Sequence, residues 1–199
     1  MPSIAEIKHA ETSQPIHELL GGRYSPYGYA PGVISSEDLA AVFEAARWAP
    51  SCFNEQPARY IVASRDNEAE FERMLACLVE PNREWAKNAG AVALGVVASQ
   101  FARNGKDNAH ARHDLGLASA QLSMEAGARG LAVHQMGGIL PEVAVATYGI
   151  PEGYDVVTAL AIGQADLGDG NERDHTPRAR RPLAESVFTG TWGTPASFD

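Results

Sequence analysis

Five short stretches concentrate residues able to hold a polar ligand. Residues 47–60, RWAPSCFNEQPARY, place Ser51, Cys52, Asn54 and Gln56 between helix and strand, where a plain connector needs only a turn. Residues 21–29, GGRYSPYGY, set Arg23 two residues from Ser25. A guanidinium beside a hydroxyl suits a phosphate or a planar amide edge. Residues 81–90, PNREWAKNAG, carry Asn82, whose amide offers donor and acceptor to an edge with adjacent C=O and N–H groups. Residues 133–139, VHQMGGI, end in a double glycine that lets the main chain approach a ligand closely. Residues 176–183, TPRARRPL, gather three arginines. In an extended segment Arg178 and Arg180 point the same way and could clamp one phosphate. Each stretch alone also reads more plainly, as a solvated turn, a bonded connector, a surface asparagine, a strand-ending turn or a solvated basic run.

Other chemistries find less support. His110 and His113 lie three apart on a helix, but no H-E-x-x-H pattern or third ligand accompanies them, so no metal is expected. Asp166 and Asp169 sit in a glycine-rich loop without calcium-loop spacing. No G-x-S-x-G elbow, post-strand G-x-G-x-x-G or G-x-x-x-x-G-K-[ST] occurs, which leaves a hydrolase nucleophile, a Rossmann site and a P-loop unsupported. The formal net charge of −9 opposes nucleic-acid backbones and anionic membranes, yet permits a local basic pocket. The first residues lack a basic start and an apolar core, and no apolar run is long enough to span a bilayer. Cys52 and Cys77 are the two cysteines, too few for a disulfide framework, and read as buried thiols. A soluble cytoplasmic protein is expected.

The positioning elements follow from periodicity. The chain has 199 residues, 45% apolar and 21% charged, enough for one well-cored domain over 1–199. SSEDLAAVFEAARWAP predicts a helix capped by Ser35 or Ser36, with Asp38 in a capping box and Pro50 as terminator. Strands are expected at RYIVAS, at 91–98, from LAV near 131 and at 155–163. Helices are expected around 67–79, over 109–129 with Leu115, Ala118 and Leu122 on one side, and at PEVAVATYG, which proline opens. Residues 164–182 read as loop. The segment from about 183 to 199 reads as extended, lying against another surface. Four strands mixed with helices suggest α+β or α/β.

In this order and spacing the five stretches resemble the nitroreductase family of FMN-dependent oxidoreductases, from about Arg23 to Gly193. EAARWAPSCFNEQPARYIVA, HQMGG and RARRPL before a final GTWG carry the likeness. The resemblance implies an α+β fold with a central mixed sheet flanked by helices, in an intertwined homodimer with FMN sites at the subunit interface. It implies two-electron transfer from NADH or NADPH to a nitroarene, quinone or related electrophile by a ping-pong route. No residue need be catalytic, because the flavin carries the chemistry. By the same resemblance Arg23, Tyr24 and Ser25 lie near the phosphate and ribityl chain, Arg178 and Arg180 hold the phosphate, and Asn82 faces the pyrimidine edge. Pro50, Ser51, Cys52 and Asn54 reach the flavin from the other subunit. Met136 and Gly137 lie beside N5, with the Gly137 N–H as its donor, and Gln135 and Gly138 count among the cofactor-binding residues. Tyr27 stands where many members have Arg or Lys, and Trp85 where some have Lys. Two aromatics there bring less positive charge to the flavin, unless Lys87 or Arg23 compensates. An oxidase, dehalogenase or flavin-destroying enzyme of the same fold, a non-turnover FMN store or redox sensor, and a cofactor-free interaction protein are the competing readings.

Overall fold

The computed structural model describes residues 2–168 and 170–198. In chain order these form α1 (Ile4–Lys8), α2 (Glu18–Gly22), α3 (Ser36–Arg47), β1 (Ala58–Ser64), α4 (Glu68–Leu75), α5 (Glu80–Ala86), β2 (Ala91–Ala98), α6 (Ala111–Ala128), β3 (Ala132–Met136), α7 (Pro141–Tyr148) and β4 (Tyr154–Gly163). Short 3-10 turns lie at Cys52–Asn54, Glu172–His175 and Leu183–Glu185.

The sheet runs β1-β2-β4-β3. The mixed sheet expected from the sequence is, in this chain's own ladders, antiparallel throughout. Each neighbour runs back past the last, so no right-handed parallel crossover is required. β2 and β4 are central, and alternation divides their side chains between two cores. Val92, Leu94, Val96, Ala159 and Ala161 join Phe71, Met74, Leu78 and Trp85 on one face. Ala91, Leu160 and Ile162 join Val42, Ala46, Ala118 and Leu122 of α3 and α6 on the other. This two-faced burial explains why AVALGVVA reads as an unbroken apolar run.

Ser35 caps α3: its Oγ accepts the Asp38 N–H at 3.0 Å and donates to the Asp38 carboxylate at 2.7 Å. Such a cap contributes about 1 kcal/mol. α6 has 18 residues and spans roughly 27 Å. Its buried stripe includes Asp114, Leu115, Ala118, Leu122 and Ala126. Beyond its end, Gly130 takes φ +73°, a conformation that glycine adopts without a Cβ penalty.

Two elements differ from the sequence reading. The helix expected over 67–79 stops at Leu75, and a second helix begins at Glu80 with Pro81 in its first turn. Proline is accommodated there because the first turn's N–H groups lack intrahelical partners. Between the two helices, Leu78 bridges to Ile139 and breaks the run. Asn82 therefore stands on a helix rather than in a loop. The segment from 183 is not simply extended: a turn at Leu183–Glu185 leads into a bridge between Phe188 and Pro195. No helix of the described residues is long and apolar enough to cross a membrane.

Candidate functional site

A basic corner forms where the chain's two ends meet. Arg23 follows α2, half-buried, with Nη1 3.4 Å from Ser25 Oγ. Arg178 donates from Nε to the Lys8 carbonyl at 2.5 Å, from Nη1 to that of Arg23 at 2.6 Å and from Nη2 to that of Gly21 at 2.5 Å. The side chain is thus first a strut that holds Arg23's main chain, with two of its five N–H groups left over. Arg180 is exposed. Burial, and then the Arg180 charge, lower the Arg23 pKa; burial, and then Arg23 and Arg180, lower that of Arg178. Among the described residues no carboxylate lies within salt-bridge distance of these three guanidinium groups. With Arg181 they line one hollow of about 530 Å³.

The segment after Arg23 is held by Asp174, a carboxylate with no solvent exposure. It accepts the N–H of Tyr27 at 3.1 Å and that of Gly28 at 2.8 Å. A Cβ on Gly28 would lie 2.8 Å from the Asn171 nitrogen, so the two loops meet through glycine. Lys8, also buried, donates from Nζ to the carbonyls of Arg173 at 3.1 Å and Thr176 at 2.8 Å. Tyr24 stays a neutral phenol: burial, helped by Asp174 and Asp166, pushes its pKa up to about 12.

An aromatic wall continues from there. Tyr27 packs edge-on against Trp85, centroids 5.2 Å apart, and against His134 at 4.7 Å. His134 stacks on Trp85 at 4.4 Å. Its Nδ1 lies 2.9 Å from the Pro26 carbonyl, which fixes the Nδ1–H tautomer. Burial lowers its pKa and favours the neutral ring. Trp85 Nε1 is buried with no hydrogen-bond partner among the described residues. Arg173 stands beside Tyr27, its Cζ 4.9 Å from the ring centroid.

Trp85 and Asn82 lie three apart on α5, one turn of helix. Asn82 Nδ2 donates to the Gly138 carbonyl at 3.0 Å, which leaves Oδ1 and one N–H of the amide for other partners. A Cβ on Gly138 would fall 2.5 Å from that nitrogen and 2.8 Å from Val79, whereas the space around Gly137 is open. Met136 is buried in the core, so main chain and not its side chain faces outward; Gln135 is exposed. Contacts join Arg178 to Arg23 and Arg23 to Ser25, Tyr27 to Trp85, and Asn82 to Gly138; Arg180 shares the hollow of Arg23, the 23–27 segment links Ser25 to Tyr27, and α5 links Trp85 to Asn82.

The loop at 50–56 is elsewhere. Cys52 N–H donates to Asp114 Oδ2 at 3.1 Å, and Gln56 N–H to Ser51 Oγ at 2.9 Å. Phe53, Asn54 and Gln56 all have φ near +55° (55°, 55° and 52°). Cys52 is half-exposed, unlike the fully buried Cys77. Pro50 and Ser51 line a separate hollow of about 320 Å³ with Tyr60 and Asp114. Asp114 is near the start of α6, while Arg23 shares a cavity with Gly127 near its end. Asp114 and Gly127 are thirteen residues apart on α6, about 20 Å along its axis. A single chain does not bring Pro50, Ser51, Cys52 and Asn54 to the basic corner.

Asp174, Arg173 and His134 are not singled out by the sequence, whereas Arg181 belongs to its arginine cluster. Asp174 lies in a polar loop, and its partners are 146 and 147 residues away. Only His134 carried a local signal, as a polar residue in a strand that ends at the double glycine.

An antiparallel sheet between two helical layers, carrying a guanidinium corner and an aromatic wall, defines an α+β fold. The nitroreductase family profile matches residues 20–164. A 15.4 kDa protein from the ask 5′ region of Mycolicibacterium smegmatis is 36% identical over 153 residues, which cover 69% of this chain and 99% of that one. An oxidoreductase containing FMN superposes with a TM-score of 0.84 at 31% identity, over 92% of this chain and 95% of the other. A nitroreductase family protein from Clostridium difficile 630 gives 0.70 at 22%, over 89% and 99%. The chain belongs to the nitroreductase family.

Proposed function

We propose that this chain is an FMN-dependent oxidoreductase that works as a homodimer, taking two electrons from NADH or NADPH and delivering them to a nitroaromatic, quinone or related electrophile. The observation that carries the reading is the guanidinium corner without an acid partner, continuous with the Tyr27–Trp85–Asn82–Gly138 wall. It fits a phosphate monoester joined to a flat heterocycle. The FMN in the 31% identical relative supports the same assignment.

In this reading Arg23 and Arg180 bind the phosphate, Ser25 adds a hydroxyl, and Arg178 keeps Arg23 in place. Asn82, oriented by Gly138, meets the polar edge of the ring, and the main chain at Gly137 borders its reactive centre. When bound, FMN supplies the hydride chemistry, so the protein need supply no acid–base pair. The residues orient the ligand and exclude alternatives, which is the proximity contribution to rate. One open face serving donor and then acceptor gives the ping-pong order. The 20 Å along α6 is the reason for a dimer: Pro50, Ser51, Cys52 and Asn54 of a second copy can complete the pocket that they cannot reach in their own chain.

The test is spectroscopic. Purified protein should be yellow, bleach anaerobically with NADH or NADPH, and recolour with a nitroarene. Colourless protein that takes up no added FMN would sink the assignment. Bound FMN that neither nicotinamide bleaches would mark a store or sensor, the reading that the neutral aromatic wall favours.

A further inference from the structure

Backbone strain in this molecule is local. Among the described residues, the non-glycine positions with positive φ are Phe53, Asn54 and Gln56. Such conformations persist where surroundings enforce them, and they cluster at functional sites. Phe53 is 71% exposed, although a phenylalanine would ordinarily be buried. Its ring meets Phe101 edge-on, with centroids 6.1 Å apart, and carries Arg103 over its face at 4.0 Å. Arg103 is also 5.1 Å from the Phe101 centroid.

Phe101 and Arg103 come from a hairpin after β2. Gln100 bridges Asp107, and the Phe101 and Lys106 main chains join at 2.8 Å. The hairpin is tied to the strained loop by the Ala102 N–H, which donates to the Glu55 carboxylate. Arg103 has no carboxylate within salt-bridge distance among the described residues, in a chain of net charge −9. A guanidinium stacked on aromatic faces keeps its N–H edge for an oxyanion, and it loses little freedom when one binds. An uncompensated cation on an acidic surface also steers anions towards itself.

We propose that Phe53, Phe101 and Arg103 form a selecting rim for planar ligands that carry an oxyanion, Phe53 offering a ring face and Arg103 the counter-charge. This deepens the function proposed above and rests on it, since there the 50–56 loop borders the redox pocket. The oxyanion could be a carboxylate on the electron acceptor or the extra phosphate of NADPH.

The experiment compares wild type, Arg103→Ala and Arg103→Lys as FMN-loaded protein. One arm reads the kcat/KM ratio of 4-nitrobenzoate to nitrobenzene, the other that of NADPH to NADH. The expected result is a fall of about tenfold in at least one ratio for Arg103→Ala, with partial recovery in Arg103→Lys. The ratio that falls identifies the source of the oxyanion. Both ratios staying within about threefold of wild type would overturn the proposal, because a clip that only holds the hairpin lowers every rate together. A calorimetric arm titrates 4-nitrobenzoate and 2′-AMP into the full-length protein without flavin. Weakening of either by about fivefold or more in Arg103→Ala supports the rim, and unchanged binding of both overturns it. Since that arm needs no FMN, protein that fails to bind the flavin sinks the function proposed above and still decides the role of Arg103.

Discussion

The buried carboxylate of Asp174 accepts the main-chain N–H of Gly28 at 2.8 Å, across 146 residues of sequence. With its bonds to the Tyr27 N–H, it fixes the segment that carries Arg23 and Ser25. Asp174→Ala removes these acceptors and leaves two partly buried donors unmet, a loss of about 2 kcal/mol. Urea melts should show that loss, and FMN titration should show weaker binding. An unchanged midpoint with unchanged FMN affinity would exclude the anchoring role.

Arg180 should act on the phosphate alone. Arg180→Ala is expected to weaken FMN by about tenfold and riboflavin hardly at all, since only the former brings a phosphate to the guanidinium. Arg178→Ala should instead lower thermal stability as well, because it removes three bonds that join the C-terminal segment to Lys8, Gly21 and Arg23. Equal losses of FMN and riboflavin in Arg180→Ala would place the phosphate elsewhere.

Gly138 and Gly137 should part company. A methyl at 138 would lie 2.5 Å from the Asn82 amide nitrogen, while one at 137 meets nothing within 4 Å. Gly138→Ala is expected to displace Asn82 and reduce FMN affinity by about tenfold, the effect of losing one well-placed polar contact. Gly137→Ala should change it far less. Flavin-fluorescence titration of the two variants measures the difference, and equal affinities would remove Asn82 from the ring edge.

His134 gives stability a pH dependence. Its folded pKa lies below the ordinary 6.5 because the ring is buried. Below about 6.5 the unfolded chain takes up the proton first, so stability falls as the pH drops towards the folded value and is fully present above 6.5. The melting temperature of wild type should decline from pH 7 to pH 5 more steeply than that of His134→Gln. Parallel curves would show that the stacked ring on Trp85 does not titrate differently on folding.

Replacing Tyr27 by arginine adds positive charge next to Trp85 and His134, where Arg173 already stands 4.9 Å from the Tyr27 ring. The flavin midpoint potential should rise in Tyr27→Arg, because a cation favours the more negative, reduced state. An unchanged redox titration would mean that Arg173 already sets the local field.

The sequence was most readable where one element determines its own pattern. The α3 cap, the buried β2 run and the α6 stripe follow from periodicity and from Ser35, Pro50 and Gly130. The helix break before Pro81 was not visible, because it depends on Leu78 pairing with Ile139, a contact made by a distant loop. The same holds for the site. Arg23, Asn82 and the double glycine announce themselves by residue type and spacing. Asp174 and Arg173 do not, since their roles arise only when the loop at 171–175 closes over Tyr27 and Gly28. The alternation of Arg178 and Arg180 suggested twin clamps, yet Arg178 turns inward to three carbonyls that no local pattern could reveal.

The length of α6 carries a consequence for how the protein behaves when scarce. In the proposed dimer each pocket would draw its two halves from opposite ends of α6 in two copies, so cofactor retention and self-association would be linked equilibria. Dilution should then release flavin and separate subunits along one mass-action curve, and excess flavin should draw monomers back together.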